Sequence, residues 1–335
     1  MIRTLLFTIS ILTLFTGDLI AQRFQLSKPS SLRGIAAIDE NICWVGGSGS
    51  TLAHTSDGGV HWQYVQLVDN DDHEFRDIEV LSKNEIIVMS AGKGDKSKLF
   101  KSTDGGGTWA IVHVNPDEEG FYNGIAFWNS DEGVLTGDPV GGSLLVMLTH
   151  DGGDTWHKVE DLPAVKEGEY GFAASGSHIT VQGSHVWIAT GGSVSRVFHS
   201  ADKGKTWSVS DTPMLQGQPS QGIFSLDIDA NGVGLAVGGD YTDENSEAEN
   251  HVLYTENYGN TWQIAGGPMA YRSAVRIYNG NAIATGPSGT NMSTLDKKTW
   301  GELGEEGYHT MEVTNEGILW LAGSDGRIAK INLEQ

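Results

Sequence analysis

Arg33, Arg76 and Arg272 each stand just ahead of an apolar segment, in short stretches that recur along the chain. Aligned, these read Ser31-Leu32-Arg33, Glu74-Phe75-Arg76, Phe121-Tyr122-Asn123, Glu169-Tyr170-Gly171, Ser220-Gln221-Gly222, Ala270-Tyr271-Arg272 and Gly307-Tyr308-His309. A guanidinium offers a fork of N–H donors that matches a carboxylate or phosphate. Brought together, Arg33, Arg76, Asn123, Arg272 and His309 would form a cationic polar ring, rimmed by Tyr122, Tyr170, Tyr271 and Tyr308. That chemistry suits an anion or an acidic peptide. The competing reading is structural: the arginines pair with Asp77, Glu74 or Glu169 and stabilise the fold.

Other chemistry is weaker. The acidic stretches 69–74 and 240–250 carry oxygen ligands at short spacing, which would suit Ca²⁺ or simply be solvated loop charge. No catalytic residue can be assigned, because a pair of carboxylates for glycoside hydrolysis cannot be picked from 43 candidates. No Gly-x-Gly-x-x-Gly, P-loop or Gly-x-Ser-x-Gly elbow is present, so no nucleotide cofactor or acyl-transfer site is expected. His178 and His185 read as incidental, and no His/Cys cluster suggests a metal. The single cysteine, Cys43, lies in the apolar run Ile42-Cys43-Trp44-Val45 and reads as a buried, inert thiol.

What must position the arginines is a repeat. Trp62, Trp109, Trp156, Trp207, Trp262 and Trp300 are spaced by 47, 47, 51, 55 and 38 residues. Seven positions before them stand Thr55, Ser102, Thr149, Ser200, Thr255 and Ser293; five before stand Asp57, Asp104, Asp151, Asp202, Asn257 and Leu295. Three before stand Gly59, Gly106, Gly153, Gly204, Gly259 and Lys297, so the sixth copy has lost its middle. Asp bonds the amides of its own turn, Gly supplies positive φ, and Trp starts the next strand with a large apolar surface. Such a period, with several short strands per unit, predicts a β-propeller.

The octapeptide is the Asp-box, or BNR repeat, found in sialidases, sortilin-type receptors and photosystem II assembly factors. Together with Arg33-Gly34-Ile35, Trp44-Val45-Gly46-Gly47 and Gly137-Asp138-Pro139, it makes the chain resemble the photosystem II stability and assembly factors and their non-photosynthetic bacterial relatives. That resemblance implies a non-catalytic scaffold holding a protein partner while an envelope complex assembles, with the arginines as the contact. The alternative it leaves is a sialidase-like glycosidase or glycan-binding propeller taking an acidic glycan. Three arginines on a carboxylate would suit that reading; the absent Arg-Ile-Pro motif and a blade count of seven depart from it.

The ends of the chain set the closure. Residues 1–21 read as a signal peptide: Arg3, an apolar run from Thr4 to Thr16, and cleavage after Ala21. Residues 22–335 are then one domain, expected to be a monomer in the periplasm or secreted, with no stable membrane insertion. Arg23 to Pro29 resembles the segment after each box tryptophan, and the stretch from Tyr308 to Asn332 lacks such a strand. The expected fold is all-β, a seven-bladed propeller whose last blade is closed by the N-terminal strand. Net charge is −22, and loss of Arg3 and Asp18 leaves it unchanged, which argues against nucleic acid as a partner.

Overall fold

In the computed structural model, residues 21–67, 71–267, 269–295 and 299–334 are described. Residues 1–20, read above as part of a signal peptide, Asp69 and Asn70 of the first acidic stretch, and Lys297 of the sixth repeat lie outside them. The regular structure of the described residues is almost entirely strand, with helix limited to three single 3-10 turns. None of these is long and apolar enough to cross a membrane.

Seven antiparallel blades follow in chain order. Their innermost strands are Leu32–Ala37, Glu74–Val80, Tyr122–Phe127, Ile179–Gln182, Gln221–Ile228, Ala274–Tyr278 and Thr310–Val313. The seventh blade is completed from the other end of the chain: Gln22–Gln25 pairs with Arg327–Asn332, Gln22 opposite Lys330 and Gln25 opposite Arg327. Phe24 stacks on Trp320 at 6.0 Å, so the closure buries apolar area as well as an open sheet edge.

Second strands are buried on both faces because each is sandwiched between neighbouring blades, which explains their continuous apolar runs. The repeated octapeptide is the clamp between blades. Ser102 Oγ donates to Asp104 Oδ1 at 2.9 Å, and Thr108 N and Oγ1 donate to the same carboxylate, each at 2.8 Å. Trp109 Nε1 closes the turn on Gly106 O at 3.0 Å. The indole bond recurs at Trp156 and Trp207; the amide bond to the carboxylate recurs at Asp57, Asp151 and Asp202, and Asn257 accepts from Thr261 N. Those donors hold Asp57, Asp151 and Asp202 at a pKa of about 2, the His61 amide leading for Asp57 and the Thr155 and Thr206 hydroxyls for the other two. Gly106, at φ 93°, leaves the space into which Trp44 of the preceding blade inserts; a Cβ there would stand 2.4 Å from the indole. Trp62, Trp109, Trp156, Trp207 and Trp262 all pack into the apolar layers between blades.

One expectation fails. The fourth blade does not start at Glu169-Tyr170-Gly171. Glu169–Tyr170 pairs instead with Gly191–Gly192, which bridges to Gly222 of the fifth blade. Glu169 is pinned there by a buried ion pair, Arg196 Nε donating at 2.9 Å to Oε1 and Nη2 at 2.5 Å to Oε2. The inner strand of blade four begins only at Ile179, and residues 171–178 make a strap across the mouth of the central channel.

The strap touches every other blade. Arg33 Nη1 donates to Ala174 O at 3.2 Å and Arg76 Nη1 to Ala173 O at 3.0 Å. Thr310 Oγ1 donates to Ser175 O, Ser175 Oγ to Ser273 O, and Ser177 Oγ to Ser225 Oγ. Phe172 stacks on Phe224 at 3.9 Å, and Gly171 lies against Asn123. The strap divides the channel into a shallow upper pocket and a lower cavity of about 660 Å³ that holds Asp77, Glu79, Asp227, Arg276 and Glu312.

Candidate functional site

The upper pocket is where the predicted site comes together, in part. Arg33, Arg76, Tyr271 and His309 line a cavity of about 240 Å³ whose floor is Phe172, Ala173 and Ala174 of the strap. The two arginines owe their aim to β-bulges. In blade one Leu32 pairs with Gly47 and Gly34 with Gly46, so Arg33 is the extra residue. Arg76, Asn123 and Phe224 are bulged in the same way in blades two, three and five. A bulge leaves one residue unpaired and re-aims its side chain.

The register also shows why Arg272 is elsewhere. Cys43 pairs with Thr55, and Gly46, three residues on, pairs with Gly34. In blade six Ala282 pairs with Ser293, and Thr285, three residues on, pairs with Ala274. Ser273 is therefore the counterpart of Arg33, and Arg272 that of Leu32. A slip of one residue turns a strand side chain to the opposite side. Arg272 accordingly lines a different pocket, and the ring of three arginines does not exist. The remaining counterparts of Arg33 are Ser177 in blade four, rather than Gly171; Phe224 in blade five, rather than Gly222; and His309 in blade seven, as aligned.

Other predicted residues also leave the mouth. Asn123 is buried and donates to Asp138 Oδ1 at 2.9 Å. Tyr122 is buried and stacks with His113 at 6.0 Å. Tyr308 is buried under Arg327, donates to Glu306 at 3.0 Å, and burial followed by that carboxylate lifts its pKa to about 12. Tyr170 donates to Pro219 O. Three aromatic residues that the sequence reading missed line the pocket with Tyr271: Phe172, Phe224 and Tyr241. The length of the 240–250 loop was the one signal for Tyr241; Phe172 and Phe224 depend on the strap and on a bulge.

The proposed ion pairs divide cleanly. Glu74 does pair with Arg76, at 3.2 Å. Asp77 turns away into the lower cavity and accepts from the amides of Ile78 and Ile125, while Glu169 belongs to Arg196. In the acidic loop, Asp240 is occupied by Thr242 and Gln221. In the first acidic stretch, Asp71 pairs with Lys98 at 2.6 Å.

The pocket keeps unused hydrogen-bonding capacity. Arg76 Nε is buried without a partner among the described residues, and so is His309 Nδ1. Burial, then Arg33, Arg327 and Arg76, push the His309 pKa down to about 3, so its imidazole is neutral at physiological pH. Burial and then Arg33 lower the Arg76 pKa, with Glu74 opposing. Two close guanidiniums, a neutral imidazole and an aromatic wall over a closed floor suit an anionic group attached to an apolar body.

The sequence matches the family described as photosynthesis system II assembly factor YCF48 over residues 20–122 and 117–332. The chain belongs to the YCF48 family. YCF48 from Cyanidioschyzon merolae superposes with a TM-score of 0.66 at 15% identity, covering 94% of this chain and 99% of that one. A YCF48 structure solved with a D1 peptide bound gives a TM-score of 0.60 at 13% identity, covering 93% and 96%. The WD40 β-propeller domain of Doa1 gives 0.63 at 9% identity, covering 96% and 99%, which shows the architecture alone. No curated protein sequence matches the chain.

Proposed function

We propose that this YCF48-family propeller is a non-catalytic protein-binding scaffold acting outside the cytoplasm, where it holds a client protein during assembly of an envelope complex. The observation that carries the reading is the pair Arg33 and Arg76 over the closed strap, with Arg76 Nε and His309 Nδ1 unpartnered among the described residues beside an aromatic wall. A YCF48 bound to a D1 peptide supports a polypeptide as the ligand class. The export reading rests on residues 1–21; cleavage after Ala21 would leave Gln22, the first residue of the closing strand, as the new N-terminus.

The test is affinity capture from the native cell envelope with wild type beside an Arg33→Ala/Arg76→Ala variant that still unfolds cooperatively. A protein retained by wild type and lost by the variant is the expected result. Equal retention would move the contact away from this pocket. Failure to retain any protein would overturn the scaffold reading and favour an acidic glycan.

A further inference from the structure

Arg272 is only 5% exposed, yet among the described residues no carboxylate pairs with it. Its Nε and Nη2 donate to Asn291 Oδ1, and its Nη1 to Tyr271 O at 2.9 Å and Ser288 Oγ at 3.0 Å. All of these acceptors are neutral. Four of the five guanidinium N–H groups are used; the fifth, on Nη2, has no acceptor among the described residues. Burial lowers the Arg272 pKa to about 10, with Glu247 opposing. A cation held this rigidly in a low-dielectric site, with no carboxylate in direct contact among the described residues, is costly.

The side chain lines a polar pocket of about 270 Å³, based on Ser288, Gly289 and Thr290 and rimmed by Asn245, Glu247 and Glu302. A single carboxylate would supply the missing charge through a charge-assisted bond to Nη2. The two rim glutamates disfavour a multiply charged phosphate, and the pocket has no aromatic platform for a sugar ring.

This second pocket adjoins the first. Tyr271 and Arg272 are consecutive and face opposite ways, one into each. The 240–250 loop is the ridge between them: Tyr241 and Glu244 wall the first pocket, Asn245 and Glu247 the second. Ser288 Oγ donates to Glu244 O at 3.4 Å and ties the ridge down.

We propose that Arg272 is a second carboxylate-binding subsite, and that the client segment crosses the ridge at Glu244 with one acidic group in each pocket. The two-anchor part rests on the protein-binding reading above; the Arg272 subsite does not.

The experiment follows the arginine Nε–Hε NMR signals, assigned with single Arg→Lys variants, while N-acetyl-aspartyl amide is titrated into the full chain. In the Arg33→Ala/Arg76→Ala variant the Arg272 signal should still shift and saturate; an unmoved signal overturns the subsite. Signals of Arg33 and Arg76 that stay still in wild type while Arg272 responds would overturn the first pocket and leave the second standing. A capped peptide with two aspartates separated by a Gly-Ser spacer should bind wild type about tenfold tighter than its one-aspartate version, an advantage lost in Arg272→Gln. Equal affinity across several spacer lengths overturns the two-anchor arrangement. Glu247→Gln, an exposed change, provides a control that leaves Arg272 in place: it should tighten aspartyl amide binding at Arg272 about two- to threefold, and an unchanged affinity counts against the subsite.

Discussion

Asp77→Asn tests whether the strap seals the lower cavity. Asp77 follows the bulged Arg76, and its carboxylate accepts at 2.9 Å from Ile78 N and at 2.8 Å from Ile125 N of the next blade. Its Oδ1 lies 2.4 Å from where a Cβ on Gly176 of the strap would stand. Burial raises its pKa from 3.8 to about 7 despite those two amide bonds. A carboxyl whose folded pKa is raised contributes stability that is fully present below its unfolded pKa. That stability is lost as pH rises through the folded pKa, here between about 4 and 7. The shift from 3.8 to about 7 corresponds to at most about 4 kcal/mol. Asparagine does not titrate, but it keeps one acceptor oxygen for two amides, a cost of about 1 kcal/mol at every pH. Relative to wild type, Asp77→Asn should therefore be about 1 kcal/mol less stable at pH 4 and up to about 3 kcal/mol more stable at pH 8. Urea unfolding at pH 4, 6 and 8, with the two proteins side by side, reads the difference directly. Parallel stability curves would refute the reasoning: they would mean that water enters beneath the strap and Asp77 ionises normally.

Two further outcomes test the elements that hold the site. Gly106→Ala forces positive φ and a clash with Trp44, so it should cost about 2–4 kcal/mol in urea unfolding; a cost below 1 kcal/mol would mean that the turn does not clamp the blades as described. Glu169→Gln leaves the Arg196 guanidinium buried without its charge partner, so it should cost about 3–5 kcal/mol. It should also speed hydrogen exchange at Leu226 N, which bonds to Ser177 O of the strap, before it speeds exchange in distant blades.

The blade count and the composite closing blade were legible because they rest on local chemistry repeated at a fixed period. A Ser/Thr-x-Asp-x-Gly-x-Thr-Trp turn needs only its own eight residues, and the Arg23–Pro29 segment matched the strand missing after Asn332. Arg33, Arg76 and His309 share the upper pocket, since blades one, two and seven follow the aligned register there; Tyr271 reaches it from blade six although its neighbour Arg272 does not. Arg272 was misplaced, because first strands were aligned without knowing which carry a bulge. One unpaired residue reverses every side chain before it, and nothing in Ala270-Tyr271-Arg272 marks its absence.

Tertiary structure alone decided the strap. Glu169-Tyr170-Gly171 has the composition of a first strand, yet its hydrogen bonds go to Gly191 and Gly192, and its carboxylate goes to Arg196. Residues 171–178 then bond to five of the six other blades and meet the third through Gly171 against Asn123. Sequence by itself determined a closed seven-bladed ring with arginines near one mouth, because turn residues and strand patterning act over a few positions. Whether those arginines share a cavity, and whether the channel beneath them is open, depended on partners 36 to 141 residues apart in sequence, contacts that exist only once the ring has closed.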